Sequence, residues 1–147
     1  MRDNSKHTGE LGERIAIGEL AKFNIEVMLP MGDNLPFDLV IFHENQFYKC
    51  QVKTSTRTSS NTEGSIFFGL VTTNWHKKES RHYDKSEVDI FILCDLEKIY
   101  LFKFNELEGR RSISIRTKPP KNNQIQGITL AKDVIVSEER LNYVLTL

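Results

Sequence analysis

The chain has 147 residues, 39% of them hydrophobic and 27% charged, the make-up of a soluble globular protein of one domain with room for a real core. Twenty basic and twenty acidic residues cancel, so net charge does not announce a nucleic-acid partner, and the distribution of charge must decide that point. No apolar run approaches a membrane span, the first residues carry no signal-peptide core, and Cys50 and Cys94 read as buried thiols, so a cytoplasmic, reducing location with no membrane partner is expected.

Residues 1–7 are polar and expected to fray. Thr8 is a suitable N-cap for a helix running to about Asn24, with Leu11, Ile15, Ala16, Ile17, Leu20, Ala21 and Phe23 on its apolar side. Glu13 lies along that stripe, four residues before Ile17 and seven before Leu20. Glu10 takes its place if the helix is rotated. Gly12 and Gly18 offer places where a neighbouring backbone can come close. Residues 25–29 read as a short strand, and 30–36 as a loop containing Pro30, Gly32 and Pro36.

Residues 36–53 read as two strands joined by a tight turn. Pairing His43 with Gln46, or Phe42 with Phe47, gives the same register, and both put Asp38 opposite Gln51. Opposed residues share a face, and Lys53 follows Gln51 on that face. A carboxylate, an amide and an ammonium therefore converge in the least polar part of the chain. A lone carboxylate there costs several kcal/mol unless a lysine or a metal ion pairs with it.

Residues 54–64 are rich in Ser and Thr and read as a mobile loop, and 65–73 as a strand. A polar crossover covers 74–87, with Lys77, Lys78, Arg81 and Lys85 around Trp75 and Tyr83. His76 and His82 lack any zinc-like spacing. Strands are expected at 88–94, interrupted by Asp89, and at 99–104. Residues 110–121 carry five basic side chains and no acidic one, and the prolines at 119 and 120 break the segment into a loop. Ser137 caps a final helix through Leu145. The order of elements predicts an α/β (or α+β) architecture with the opening helix packed on a mixed sheet.

Glu13, then Pro36-Phe-Asp38, then Gln51-Val-Lys53 resembles the motif of the PD-(D/E)XK nuclease superfamily. Within it, the run from Gly9 to Ala21 and the Gln-Val-Lys-Thr-Ser segment are most similar to the group I intron-encoded homing endonucleases of this type. Archaeal Holliday junction resolvases resemble the same core. The resemblance implies a restriction-endonuclease-like core over about 8–104 and a C-terminal extension over about 105–147 for DNA binding or oligomerisation. It implies Mg²⁺-dependent, site-specific hydrolysis of double-stranded DNA by a homodimer or homotetramer. Asp38, Gln51, Glu13 and the Val52 carbonyl would hold the ion, and Lys53 would steady the transition state. Lys49, Arg57, Lys77, Lys78, Arg81, Tyr83, Lys85, Arg110, Arg111, Arg116 and Lys118 would contact DNA. Gln51 departs from the acid that the superfamily carries there, though the resembled homing enzymes also have glutamine. A junction resolvase, a restriction-type nuclease, or a binding protein on an inactive nuclease fold are the rival expectations.

Overall fold

A computed structural model describes residues 5–56, 64–74, 77–119, 122 and 126–146. Helix α1 (Ser5–Ala21) leads into strands β1 (Glu26–Met28), β2 (Leu39–His43) and β3 (Gln46–Thr54). Strands β4 (Ser65–Gly69), β5 (Val71–Asn74) and β6 (Glu79–His82) precede β7 (Ile90–Cys94), β8 (Ile99–Lys103) and the short helix α2 (Phe104–Leu107). Strands β9 (Ser112–Arg116) and β10 (Thr129–Leu130) and helices α3 (Ala131–Val134) and α4 (Glu138–Val144) follow.

The central sheet runs β1-β2-β3-β7-β8, with β3 and β7 parallel and the other neighbours antiparallel. A second sheet runs β10-β9-β4, and β5 with β6 forms a two-stranded ribbon. Strand alternation splits the core in two. Ala16, Leu20, Leu141 and Val144 of α1 and α4 cover Leu39, Ile41, Cys50, Val52, Ile90 and Ile92 on one face. Phe68, Ile113 and Ile115 of the second sheet cover Phe91, Leu93, Tyr100 and Phe102 on the other. Strands β7 and β8 are buried on both faces, which is why they read as continuous apolar runs. Both cysteines are buried and unbridged. Among the described residues, no helix is long and apolar enough to cross a membrane.

The outer edge of β8 is closed by the chain that follows it. Val136 N–H donates to the Ile99 carbonyl at 3.0 Å, and Arg140 Nε donates to the Leu101 carbonyl at 2.8 Å. The Arg140 guanidinium also grips both Glu106 oxygens at 2.8 and 2.9 Å and lies over the Tyr143 ring at 4.8 Å. Its side chain is 13% exposed. Arg140→Ala is expected to lower unfolding free energy by about 3 kcal/mol in urea titration, because Glu106 and the Leu101 carbonyl lose their partner together. A loss below about 1 kcal/mol would class the pair with ordinary surface ion pairs.

Several expectations are corrected. Helix α1 begins at Ser5, with Thr8 inside it, and stops at Ala21. Asn24 at φ 59° closes the turn that follows, a left-handed conformation asparagine tolerates. The buried row is Gly12, Ala16 and Leu20, four residues apart; Leu11 faces solvent, and a Cβ on Gly18 would meet open space. The short strand spans 26–28 rather than 25–29. The single strand expected over 65–73 breaks at Leu70, whose N–H turns to the Arg111 carbonyl at 2.9 Å. The preceding residues pair with β9 and the following ones with β6, so the polar crossover contains half a ribbon. The expected loop at 110–121 contains β9, where Ile113 and Ile115 alternate with polar residues. The basic residues around them obscured that alternation. Most of the loop expected at 54–64 lies outside the described residues.

Candidate active site

The β2–β3 hairpin builds the site. His43 pairs with Gln46, and Leu39 with Cys50. Glu44 and Asn45, at φ 50° and 64°, form the two-residue turn with both positions left-handed. Continued by one residue, this register sets Asp38 opposite Gln51, as expected. Asp38 N–H donates to the Cys50 carbonyl at 2.8 Å. The chain then departs towards Pro36, and the Asp38 carboxylate takes over the pairing by accepting the Val52 N–H at 2.8 Å. A carboxylate at a strand end thus satisfies a backbone donor that would otherwise be orphaned.

Gln51 and Lys53 lie beside Phe91 and Leu93 of β7, on the face opposite α1. Glu13 comes from α1 and meets Asp38, to which it is hydrogen-bonded, where β2 begins. Glu13, Asp38, Gln51, Val52 and Lys53 all line one cavity of about 550 Å³, together with Ser5, Thr8 and Gly9 from the first turns of α1. The Gln51 amide nitrogen donates to the Val52 carbonyl at 3.3 Å. Lys53 Nζ donates to the Val71 carbonyl at 3.2 Å and stands 4.9 Å over the Tyr83 ring. Tyr83 in turn meets Phe91 edge-on at 5.8 Å. Tyr83, expected among the DNA contacts, is the platform under Lys53.

Burial pushes the Glu13 carboxyl up to about 7, and the neighbouring Asp38, by charge and hydrogen bond, and Glu10, by charge, add to the rise. Burial raises Asp38 as well, against the Val52 N–H, the Glu13 hydrogen bond and the Lys53 charge, which all favour its ionised form. The proton of this pair therefore sits on Glu13, hydrogen-bonded to the Asp38 carboxylate, up to near neutrality. Glu10 acts on Glu13 only through its charge and is absent from the cavity lining, so Glu13 is the α1 glutamate that meets Asp38.

That proton has a consequence for stability. Between the ordinary value of 4.5 and about 7 the folded state binds more protons at Glu13 than the unfolded chain. Stability from this source is therefore full below the ordinary value and is lost as pH rises towards neutrality. In metal-free protein the fall in Tm between about pH 5 and about pH 8 is expected to narrow in Glu13→Gln. An unchanged fall in calorimetry would separate Glu13 from that titration.

Among the described residues, the expected DNA-contacting cations are absent from the lining of this cavity. Lys49 Nζ donates to the Ser86 carbonyl, while its N–H meets the Asp89 carboxylate at 2.8 Å. Arg81 is clasped by both Glu87 oxygens at 2.8 and 2.9 Å. Arg111 donates to Ser80 Oγ at 2.9 Å, and Arg116 to the Lys118 and Pro119 carbonyls at 3.2 Å. Lys85 lines a separate cavity of about 240 Å³ near Lys103. Lys77, Lys78, Arg110 and Lys118 are exposed. Arg57, Trp75 and His76 lie outside the described residues.

Several cavity residues escaped the sequence reading, Phe67 and Thr54 among them. Phe67 is 45% exposed and lines the cavity from the second sheet. The alternation around it was visible, but Phe67 and Phe68 are indistinguishable until pairing with β9 buries one of them. Thr54 lines the cavity too, and its hydroxyl is buried without a hydrogen-bond partner. The glycine facing it was the one available signal.

The bacterial homing endonuclease I-Ssp6803I has a similar fold, with a TM-score of 0.75 over 97% of this chain and 94% of that one, at 21% sequence identity. Protein 5.3 of Escherichia phage T7 is 26% identical over 113 residues, covering 76% of this chain and 92% of that protein. The sequence profile of the family described as PD-(D/E)XK endonuclease matches residues 3–135. A hairpin that brings Asp38, Gln51 and Lys53 together, a helix that adds Glu13, and a family match over most of the sequence agree: the chain belongs to the PD-(D/E)XK endonuclease family.

Proposed function

We propose that the protein is a divalent-metal-dependent, site-specific endonuclease that hydrolyses phosphodiester bonds in double-stranded DNA, of the intron-homing kind. The observation carrying this reading is the hydrogen-bonded Glu13–Asp38 pair in one cavity with Gln51 and Lys53. A half-buried pair of acids holding a proton between them suits a site where a cation replaces that proton. The donors available are the Glu13 and Asp38 carboxylates, the Val52 carbonyl and the Gln51 amide oxygen. All are hard oxygen ligands of the sort Mg²⁺ takes.

When bound, Mg²⁺ would acidify a water and offset charge on the leaving oxygen. Asp38, fixed by the Val52 N–H, holds the strongest charge of the donor set in one orientation. Glu13 contributes a second carboxylate once its proton has left. Lys53, held by the Val71 carbonyl and the Tyr83 ring, presents a fixed positive charge to a phosphate in the cavity. The exposed Lys77, Lys78, Arg110 and Lys118 neutralise flanking phosphates, and Arg81, Arg111 and Arg116 join them by exchanging their hydrogen-bond partners. The segment beyond residue 104 supplies Arg110, Arg111 and Lys118 from its connections and Arg116 from β9, a DNA-binding and self-association role for that segment. Cutting both strands calls for two sites, hence a homodimer or homotetramer, acting in the cytoplasm.

Supercoiled plasmids carrying candidate intron-free targets are expected to be linearised with Mg²⁺ and left intact with EDTA. Intact plasmid across all targets would count against the reading, and preferential cutting of a four-way junction would redirect it to a resolvase. A second reading, binding without cleavage, is favoured by one observation. Gln51 replaces an acid, and among the described residues no three His, Cys, Asp or Glu side chains converge as a metal site. Gln51→Glu separates the two. In an active enzyme it is expected to change the Mg²⁺ requirement severalfold, whereas activity appearing only in Gln51→Glu would establish the binding reading.

A further inference from the structure

Helix α1 contains three glycines, a residue that weakens helices, so each asks for a reason. A Cβ on Gly9 or Gly18 would meet nothing within 4 Å. A Cβ on Gly12 would lie 2.0 Å from Thr54 Oγ1 and 3.0 Å from Thr54 Cβ and Cγ2. Gly12 is buried, and ordinary contact begins near 3.4 Å. The helix backbone therefore rests directly on the Thr54 side chain.

The two residues in contact are each one step from the chemistry. Gly12 precedes Glu13, and Thr54 follows Lys53. Thr54 points to the α1 face because side chains alternate along β3, whereas Lys53 points to the other. The Thr54 hydroxyl is buried and makes no hydrogen bond. Its contribution there is bulk of a definite size against a helix lacking a Cβ.

We infer that Gly12 and Thr54 form a positioning contact that sets how far Glu13 reaches towards Asp38. The inference rests on the reading of Glu13 and Asp38 as metal ligands. Interiors are close-packed and give little, so a methyl group at position 12 must lift the helix off β3. Ala16 and Leu20 anchor α1 further along, so the lift acts mostly at the end that carries Glu13. Metal ligation tolerates only a few tenths of an ångström. Neither residue touches the ion or the substrate in this account.

The test measures Mn²⁺ binding from the free-ion signal in electron paramagnetic resonance, with thermal melts alongside. Gly12→Ala is expected to weaken binding about tenfold or more, the scale seen when the support of a ligand is disturbed. Thr54→Ala, which leaves space rather than pressure, weakens it less. The Gly12→Ala/Thr54→Ala double variant, in which the new methyl occupies the vacated space, recovers most of the lost affinity; Thr54→Val, which keeps the bulk and drops the hydroxyl, binds as the parent does. The melts separate positioning from simple damage: weak binding at a temperature where Gly12→Ala is fully folded supports the contact, and weak binding that appears only with unfolding overturns it.

Parent-like binding by Gly12→Ala overturns the inference, as does a double variant as weak as Gly12→Ala. Weak binding by Thr54→Val overturns it too, by assigning the role to the hydroxyl. If Gly12→Ala does not fold, Thr54→Ile presses on the helix from the strand side; weakened binding supports the contact and unchanged binding overturns it. A parent protein that binds no Mn²⁺ overturns this inference and the metal reading together. Parent binding that Gly12→Ala retains overturns this inference alone.

Discussion

Asp38→Asn is expected to lower plasmid cleavage by about 10³-fold or more while leaving the fold intact. Asparagine keeps an oxygen where Asp38 accepts the Val52 N–H at 2.8 Å, so the strand end stays paired. What disappears is the negative charge nearest the proposed metal position. Mg²⁺ is strongly hydrated and gives up its waters reluctantly, so a neutral amide is a poor substitute for a carboxylate. A loss of about 4 kcal/mol in transition-state stabilisation corresponds to the stated rate effect. The metal-free variant should melt at or above the parent Tm at about pH 8, because burial already works against the charge on Asp38. Asp38→Ala is the harsher control, since an unpaired Val52 N–H costs about 1–3 kcal/mol of stability. If Asp38→Asn keeps more than about a tenth of parent activity under saturating Mg²⁺, Asp38 is not the principal ligand.

Lys53→Met is expected to reduce turnover about 10²- to 10³-fold with little change in DNA affinity measured in Ca²⁺. Methionine keeps an apolar chain of similar length and removes the ammonium, with its bond to the Val71 carbonyl and its place over the Tyr83 ring. An electrostatic group aimed at charge that develops during reaction contributes to the transition state rather than to ground-state binding. Lys53→Arg keeps the charge but spreads it over a planar fork, and should recover only part of the loss. A defect confined to DNA affinity, with turnover intact, would make Lys53 a phosphate contact like the exposed lysines at 77 and 78. Together the two variants separate metal binding, through the Mg²⁺ dependence of Asp38→Asn, from charge stabilisation, which extra Mg²⁺ does not restore.

The local chain carried much of this site openly. A two-residue turn forces one register on the hairpin, and that register alone sets Asp38 opposite Gln51 with Lys53 next on the same face. The final helix was equally legible, because Ser137 accepts the Arg140 N–H at 2.9 Å as a cap should. Strands β7 and β8 announced themselves by unbroken apolar runs. In each case the determining interaction lies within a few residues, or the pattern is imposed by burial on both faces.

Other features depended on partners far away in sequence. The break at Leu70 follows from a bond to Arg111, and β9 is a strand because β4 and β10 flank it. Glu13 was placed on an apolar stripe, but its hydrogen bond to Asp38 and its raised pKa arise only when α1 settles on β3. Nor does sequence reveal that Arg81 is held by Glu87 or that Tyr83 supports Lys53. Residue spacing along one chain dictates torsions, turns and hairpin registers, since these are short-range steric and hydrogen-bonding problems. How closely a helix approaches a sheet, and which charges then meet, is settled by packing among surfaces that the chain brings together from distant positions.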